Sequence, residues 1–515
     1  MKLKMMNKMK MKNMNKNKNV GAKSFFSVLF LFIALLCLFS AQWYVSVFGN
    51  TGFDSILYTL FSDLGGVESG MVFDYLTVAL LPCIIISAAY ALVLTLKVKR
   101  SLILHIGKKI KLKLLPISKA KTRIVSLFLS IIFILSAALK VDMVIYLINS
   151  LSIPSTFIEE NYVDPKATNI TFPEEKRNLI VIYLESMETS FTSAEYGGGN
   201  DVNPLTELCN LAEANINFSQ NDTVGGFSAL TGGTWTIGAL VSLTAGIPFK
   251  LPNGIDKNSY GETSFLPGVT TLSDVLHQNG YYQALMVGSI ASFGGRDVFY
   301  QTHGTDTIYD LLTARSSGLV HPDYYEWWGI EDFRLYYYAK QELTKIAAQD
   351  QPFAFSMLTV DTHHVGGYVC ELCNNEYTEQ YENVLSCASR QLYSFIEWLK
   401  QQDFYKNTTI VVCGDHPTMD ARYFSTNIGF DYDRKVYNCF INSAINTKNS
   451  KNRVFCSYDI FPTTLAAMGC TIEGDQLGLG VNLFSDKSTL CEKFSVSKLN
   501  SKLSQKSEFY ENNFY

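Results

Sequence analysis

Apolar residues in this chain fall into two patterns. In the first 150 residues they form three long stretches, at 25–41, 71–96 and 124–148, that are apolar almost without interruption. The second and third reach the ~20 residues that a helix needs to cross the hydrocarbon core of a bilayer, and the first falls only slightly short. Trp43 and Tyr44 follow the first stretch as anchors at a membrane surface. Ser40 and Ala41 would suit signal-peptide cleavage, but the two later stretches favour an uncleaved anchor. Beyond residue 177 the apolar runs become short. Residues 178–188 read N-L-I-V-I-Y-L-E-S-M-E and residues 407–416 read N-T-T-I-V-V-C-G-D-H. Such unbroken, mostly β-branched or aromatic runs predict strands buried on both faces, as at the centre of a parallel sheet. Further strands are expected at 281–287 and 353–360, and helices at 270–278, 332–348 and 379–402. The alternation predicts an α/β domain with a mainly parallel central sheet, behind about three N-terminal transmembrane helices.

Charge sharpens the picture. Residues 1–150 carry 19 Lys and Arg against 5 Asp and Glu, whereas the remainder carries 24 against 42. An acidic large domain argues against nucleic-acid binding. Residues 97–123 hold ten basic residues and no acid, while residues 49–70 have acids and no Lys or Arg. The positive-inside rule then gives the N-terminus inside, the first loop outside, the basic loop inside and everything after residue 148 outside. The expected organisation is a disordered basic cytoplasmic arm at 1–23, a membrane domain at 24–148 and an extended linker at 149–177. A catalytic domain at 178–490 and a peripheral tail at 491–515 follow. Lys140 and Asp142, in the outer part of the third stretch, are expected to snorkel to the interface.

Eleven cysteines are spread along the chain. Cys37, Cys83 and Cys413 lie in apolar runs and read as small hydrophobes. Cys370, Cys373 and Cys387 cluster in sequence on the outer side. A C-x-x-C pair there could suggest zinc, but no fourth ligand stands at good spacing. A disulfide from Cys387 to Cys370 or Cys373 is the expectation.

The candidate chemistry sits where the strands end. Glu185 at the lip of one strand could be a solvent-facing cap, but the second strand also ends at once in two potential metal ligands, Asp415 and His416. The rims of parallel sheets are where α/β proteins place ligands. Between the two strands, G-G-T-W-T-I-G at 232–238 leads into an apolar helix. Thr236 can be an N-cap, or a hydroxyl set against a phosphate at a helix N-terminus. Asp361-Thr362-His363-His364 follows a third strand, and Arg296 offers a forked donor matched to phosphate. Together these parts describe phosphoryl transfer at a metal-activated hydroxyl.

The runs at 178–188, 232–238, V-D-T-H-H at 360–364, G-D-H at 414–416, S-Y-D-I-F-P-T-T-L at 457–465 and G-L-G-V-N-L-F-S at 478–485 resemble the alkaline-phosphatase/sulfatase superfamily. Within it they are similar to membrane-anchored phosphoglycerol transferases, the branch holding lipoteichoic acid synthases and the periplasmic-glucan phosphoglycerol transferase. The lead-in E-E-N-Y-V-D-P at 159–165, and cysteines after the histidine pair, place the likeness nearer the latter. The resemblance implies one divalent cation, Mn2+ or Mg2+, on Glu185, Asp415 and His416, with Thr236 as its hydroxyl ligand and nucleophile. Thr234 is the competitor for that role. It also implies Arg296 as a contact to the phosphate, His363 and His364 as contacts to the substrate, and His363 or His364 as the catalytic acid or base. Val287 and Gly294 stand where lipoteichoic acid synthases carry a histidine and a tryptophan, so headgroup or acceptor contacts are expected to differ. The implied partners are phosphatidylglycerol as donor, a glycan or glycerophosphate acceptor, and the bacterial cytoplasmic membrane, with the catalytic domain outside. A phosphoethanolamine transferase acting on lipid A or a similar acceptor is the alternative. The C/S-x-P-x-R motif of sulfatases that carry formylglycine is absent from the sequence.

Overall fold

The structure, a computed structural model, describes residues 2–49, 52–61, 69–95, 103–106, 110–113, 119–251, 263–429 and 431–515. Its contacts divide the chain into two compact units. One comprises Met1–Ser46 with Val67–Ile145, the other Val47–Gly66 with Tyr146–Tyr515.

The first unit holds three helical segments long and apolar enough to cross a membrane, Ala22–Phe48, Gly70–Thr95 and Lys119–Lys140. Leu31, Leu35 and Cys83 pack together, with Tyr90 and Phe133 against them. Trp43 Nε1 donates to Asp74 Oδ2 at 2.7 Å. Many outward residues are large and apolar, Phe26, Ile85 and Phe128 among them, as a lipid-facing surface requires. Two expectations are corrected here. The basic arm is not disordered: it continues the first span as one helix, Lys2–Phe48, and its Lys and Met residues are good helix formers. The third span is also shorter than the apolar stretch. It ends at Lys140, Asp142 takes a left-handed φ of 55°, and a separate helix, Met143–Leu151, begins. Much of the basic loop at 97–123 lies outside the described residues. Its described part includes a hairpin, Ile103–Ile106 with Ile110–Lys113.

The second unit is organised by a seven-stranded sheet. In chain order its strands are β1 Asn178–Leu184, β2 Gly226–Phe227, β3 Tyr282–Val287, β4 Thr307–Tyr309, β5 Phe353–Leu358, β6 Thr408–Gly414 and β7 Val436–Ile441. They lie in the order β2-β7-β6-β1-β5-β3-β4. The pairs β6–β1, β1–β5, β5–β3 and β3–β4 are parallel, and β7 is antiparallel to β6 and β2. The unbroken apolar runs follow from two cores. Leu179, Val181 and Tyr183 face one hydrophobic cluster, while Ile180, Ile182 and Leu184 face the other. Val411 and Cys413 against Ile410 and Val412 repeat that division on β6. Period-two alternation is therefore present in space, but both faces are apolar and the sequence shows none of it.

A segment expected to be an extended linker and a tail expected to be peripheral are both structural. The linker carries the helix Phe157–Asn161, whose Phe157 and Ile158 enter the core, and Ile170–Thr171 pairs with Thr471–Ile472. The tail forms the helices Leu490–Phe494, Val496–Leu503 and Glu508–Phe514, and it buries Leu499, Leu503, Tyr510 and Phe514. The second unit also recruits chain from before the second span. In the helix Phe53–Phe61, Tyr58 is 5% exposed and its hydroxyl donates to the Gly294 carbonyl. Its ring meets Phe249 edge-on at 5.3 Å. The chain after the first span and the chain after the third thus share one folded body.

Candidate active site at the strand ends

Pairing of β1 with β6 sets Leu184 opposite Gly414, so the next residues, Glu185 and Asp415, emerge side by side. Ser186 then turns with φ 55° and its N–H donates to Asp415 Oδ1 at 2.8 Å; the His416 N–H donates to the same oxygen at 2.8 Å. Asp415 Oδ2 is buried and has no hydrogen-bond partner among the described residues. His416 Nδ1 lies 2.9 Å from the Pro417 carbonyl. That bond fixes the proton on Nδ1 and turns the Nε2 lone pair inward, the usual arrangement for a metal-ligating histidine. Nε2 stands 3.6 Å from Glu185 Oε1 and 3.4 Å from Asp415 Oδ2. Glu185, Asp415 and His416 each bring one ligand atom within 4.8 Å of the others, and all three are buried. A buried carboxylate oxygen left unmatched beside a second carboxylate and an imidazole nitrogen fits a divalent cation well.

The helix Thr236–Ala245 begins beside this group, and every residue in it after Thr236 is buried. Trp235 occupies the cap position, so Thr236 is the first helical residue and its side chain is free of capping duty. Its hydroxyl lies 3.3 Å from His416 Nε2 and 3.5 Å from Glu185 Oε2. The Thr236 hydroxyl thus meets the carboxylate–histidine group directly.

Electrostatics reflect the crowding. Burial, then the neighbouring Glu185 charge, pushes the Asp415 carboxyl up to about 7. For His416, burial works against the cation, but Asp415 and Glu185 outweigh it and the pKa rises. The loop after β5 supplies the histidine pair. His363 is held neutral, its pKa lowered to about 4 chiefly by burial, and its Nδ1 is 2.9 Å from the His364 carbonyl. His364 is 3% exposed, and neither ring nitrogen finds a hydrogen-bond partner among the described residues. Burial lowers its pKa well below the usual range.

Arg296 opens the helix Arg296–Thr302 directly after Gly294 and Gly295, both left-handed with φ 68° and 67°. Glycine makes that double turn without steric cost. The guanidinium is buried. Nη2 donates to Ser289 Oγ at 2.9 Å and to the Ile290 carbonyl at 2.7 Å, while Nε has no partner among the described residues. An oriented buried N–H of that kind is what a phosphate oxygen needs.

Several residues of this region carry little signal of their own in the sequence. Glu188, in the same E-S-M-E run as Glu185, is fully buried and forms a forked ion pair with Arg434; Oε1 also accepts the Thr418 N–H at 3.0 Å. The second carboxylate of that run was the available clue. Trp328 packs on His363 with ring centroids 4.4 Å apart, His363 stacks on His364 at 4.4 Å, and Phe48 meets His364 edge-on at 5.0 Å. Nothing in the sequence joins Phe48 to His364, more than 300 positions apart.

A doubly covered, mainly parallel sheet with carboxylate and histidine ligands on adjacent strand ends, facing a helix-initiating threonine, defines an α/β protein built to hold a metal beside a hydroxyl. Comparison with known proteins gives the family. The sulfatase family model matches residues 177–470, and the chain belongs to that family. The chain is 31% identical over 262 residues to proteins named phosphoglycerol transferase I from Escherichia coli (strain 55989 / EAEC) and from Shigella boydii serotype 18. Those alignments take in 50% of this chain and 33% of each relative, so the chain spans about a third of the length of the curated relatives it matches. Among solved structures, it is similar to the lipoteichoic acid synthase LtaP from Listeria monocytogenes, with 20% identity, a TM-score of 0.49, and coverage of 64% of this chain and 82% of that one.

Proposed function

We propose that this chain is a membrane-anchored phosphotransferase that moves phosphoglycerol from phosphatidylglycerol to an extracytoplasmic acceptor hydroxyl, most simply that of a glycan. The observation that carries the reading is the Thr236 hydroxyl, held at 3.3 Å from His416 Nε2 and 3.5 Å from Glu185 Oε2 at the start of a buried helix. The names of the relatives support phosphoglycerol as the transferred group. The three apolar segments support a donor drawn from the bilayer, and the charge of the loops supports a catalytic unit on the outer face of the cytoplasmic membrane.

A divalent cation, Mn2+ or Mg2+, held by Glu185, Asp415 and His416 would lower the pKa of the Thr236 hydroxyl and polarise the phosphate. Thr236 Oγ1 then forms a bond to phosphorus as the bond from phosphorus to the diacylglycerol oxygen breaks. The threonine proton leaves through the site and the diacylglycerol oxygen gains one, so charge balances. The resulting phosphoglyceryl-threonine is attacked by the acceptor hydroxyl, which restores Thr236. His363, neutral at physiological pH and with Nδ1 engaged on the His364 carbonyl, presents Nε2 as a base for the acceptor proton. Arg296, through its open Nε, holds an equatorial oxygen as negative charge builds.

The test uses full-length protein in liposomes containing labelled phosphatidylglycerol, with Mn2+ added or removed. Metal-dependent diacylglycerol release and covalent labelling, both lost in Thr236→Ala and kept in Thr234→Ala, are the expected results. Turnover of phosphatidylethanolamine instead would overturn the donor assignment, and activity surviving in Thr236→Ala would overturn the nucleophile.

A further inference from the structure

A second cluster of ligand-type side chains lies outside the strand-end site and takes no part in the chemistry above. Cys370 and Cys373 sit in the loop after β5, and Cys387 lies in the helix Gln380–Lys400. Cys370 Sγ is 3.7 Å from Cys373 Sγ and 3.7 Å from Cys387 Sγ, and all three sulfurs lie within 4.8 Å of one another. The expected disulfide is not what these positions describe, because all three are free cysteines. Bonded sulfurs stand about 2.05 Å apart. By contrast, four ligands at the Zn–S distance of about 2.3 Å in a tetrahedron have edges of about 3.8 Å. The sulfurs therefore sit at the spacing of a tetrahedral thiolate site.

The surroundings match. Cys370 and Cys387 are buried, while Cys373 is partly exposed and leaves a way in for ion and solvent. Gln391, 8% exposed, directs its amide at the sulfurs: Nε2 donates to Cys387 Sγ at 3.2 Å and to Cys370 Sγ at 3.7 Å. Donors of that sort stabilise thiolates and orient them. Arg390, one residue earlier, has a buried Nη2 with no hydrogen-bond partner among the described residues and acts electrostatically on Cys387. Three thiolates around a divalent ion leave a net charge of −1, which the Arg390 guanidinium, itself shared with Glu376 at 3.5 Å, offsets in part.

We propose that Cys370, Cys373 and Cys387 bind one zinc ion, or a similarly soft divalent cation, with solvent past Cys373 as the fourth ligand. Binding releases three thiol protons and requires no oxidant. The ion would tie the loop that carries His363 and His364 to the helix Gln380–Lys400, which supplies Cys387. A three-sulfur set selects zinc over manganese, whereas the carboxylates and imidazole of the strand-end site also accept harder ions. The two sites would hold different metals in one chain.

The experiment uses full-length protein in detergent, made with zinc and manganese both available. Metal content is measured for the wild type, for the double variant Glu185→Ala/Asp415→Ala and for Cys373→Ser. One zinc per chain is expected in the wild type and the double variant, with none in Cys373→Ser. Zinc X-ray absorption on the double variant should show three sulfurs at about 2.3 Å, a readout that does not depend on any cysteine variant folding. Alkylation under denaturing conditions after chelation should find all three thiols reduced. A mass-mapped bond between any two of these cysteines, three free thiols without zinc, or zinc bound only through nitrogen and oxygen would each overturn the proposal. None of these readouts uses transfer activity, so failure here is distinguishable from failure of the functional reading.

Discussion

Two three-ligand clusters lie in one folded unit, and they are built in opposite ways. Glu185, Asp415 and His416 come from the ends of adjacent parallel strands, positioned by the β1–β6 register and by backbone N–H groups on Asp415 Oδ1. Cys370, Cys373 and Cys387 come from a loop and the helix beyond it, with Gln391 across the sulfurs. In the first, the sheet sets the geometry and holds the ligands together in a buried place, where burial first and then the Glu185 charge raise the pKa of Asp415. In the second, a bound ion would itself hold the geometry. A site on strand ends can exchange ion and substrate without losing its shape, so it suits turnover. A site made of loop sulfurs suits an ion that stays.

The largest effect expected to separate the two is on transfer. Thr236→Ala or Glu185→Ala should reduce diacylglycerol release on the order of 10^4-fold or more while leaving the cysteine-bound zinc in place. Equal loss of zinc would show that the clusters are not independent. Arg296→Lys keeps the charge and loses the fork, and should lower transfer by roughly 10^2-fold; wild-type rates would remove Arg296 from the phosphate. A third effect is on pH. Asp415 titrates near 3.8 when unfolded and at about 7 in the metal-free fold, so between those values the folded state holds the extra proton and stability falls as pH rises. Metal-free protein should therefore melt progressively lower across this window, and Mn2+ or Asp415→Asn should each reduce the slope by the share that Asp415 contributes, the rest coming from other buried acids such as Asp332 and Asp459. Melting curves with and without Mn2+ decide this, and a slope unchanged by Asp415→Asn would point to other buried acids. The smallest effect is expected of Tyr58→Phe, about 1 kcal/mol of stability from loss of the hydrogen bond to the Gly294 carbonyl, read from denaturant midpoints.

The sheet was legible because strands buried on both faces must be apolar at every position, and such runs stand out. The strand-end ligands were legible for a related reason: a charged residue directly after such a run has nowhere to sit except the rim of the sheet. Other parts were less visible. Phe157 and Ile158 are two apolar residues in a polar stretch, and only the surface they meet makes them core. In the tail, Val496, Leu499 and Leu503 follow helical spacing and could have been read as one buried face. Phe48 on His364, and Tyr58 on Gly294, join positions more than 200 apart that no local pattern connects. The cysteine trio was visible as spacing alone; its tetrahedral edge lengths exist only in three dimensions.

The docking of Phe53–Phe61 bears on what happens when the second unit is cut from the three spans. Cleavage anywhere in 149–156 would shed a fragment that keeps Thr236, the strand-end ligands and the cysteines, but the helix bearing Tyr58 would stay behind on the membrane. The shed form would expose Trp235 and Phe249, now packed against Tyr58, and would lose the clasp on the Gly294 carbonyl two residues before Arg296. Anchored and released proteins would then differ in the surface beside the site, with the faces of Trp235 and Phe249 that Tyr58 covers uncovered only in the released form.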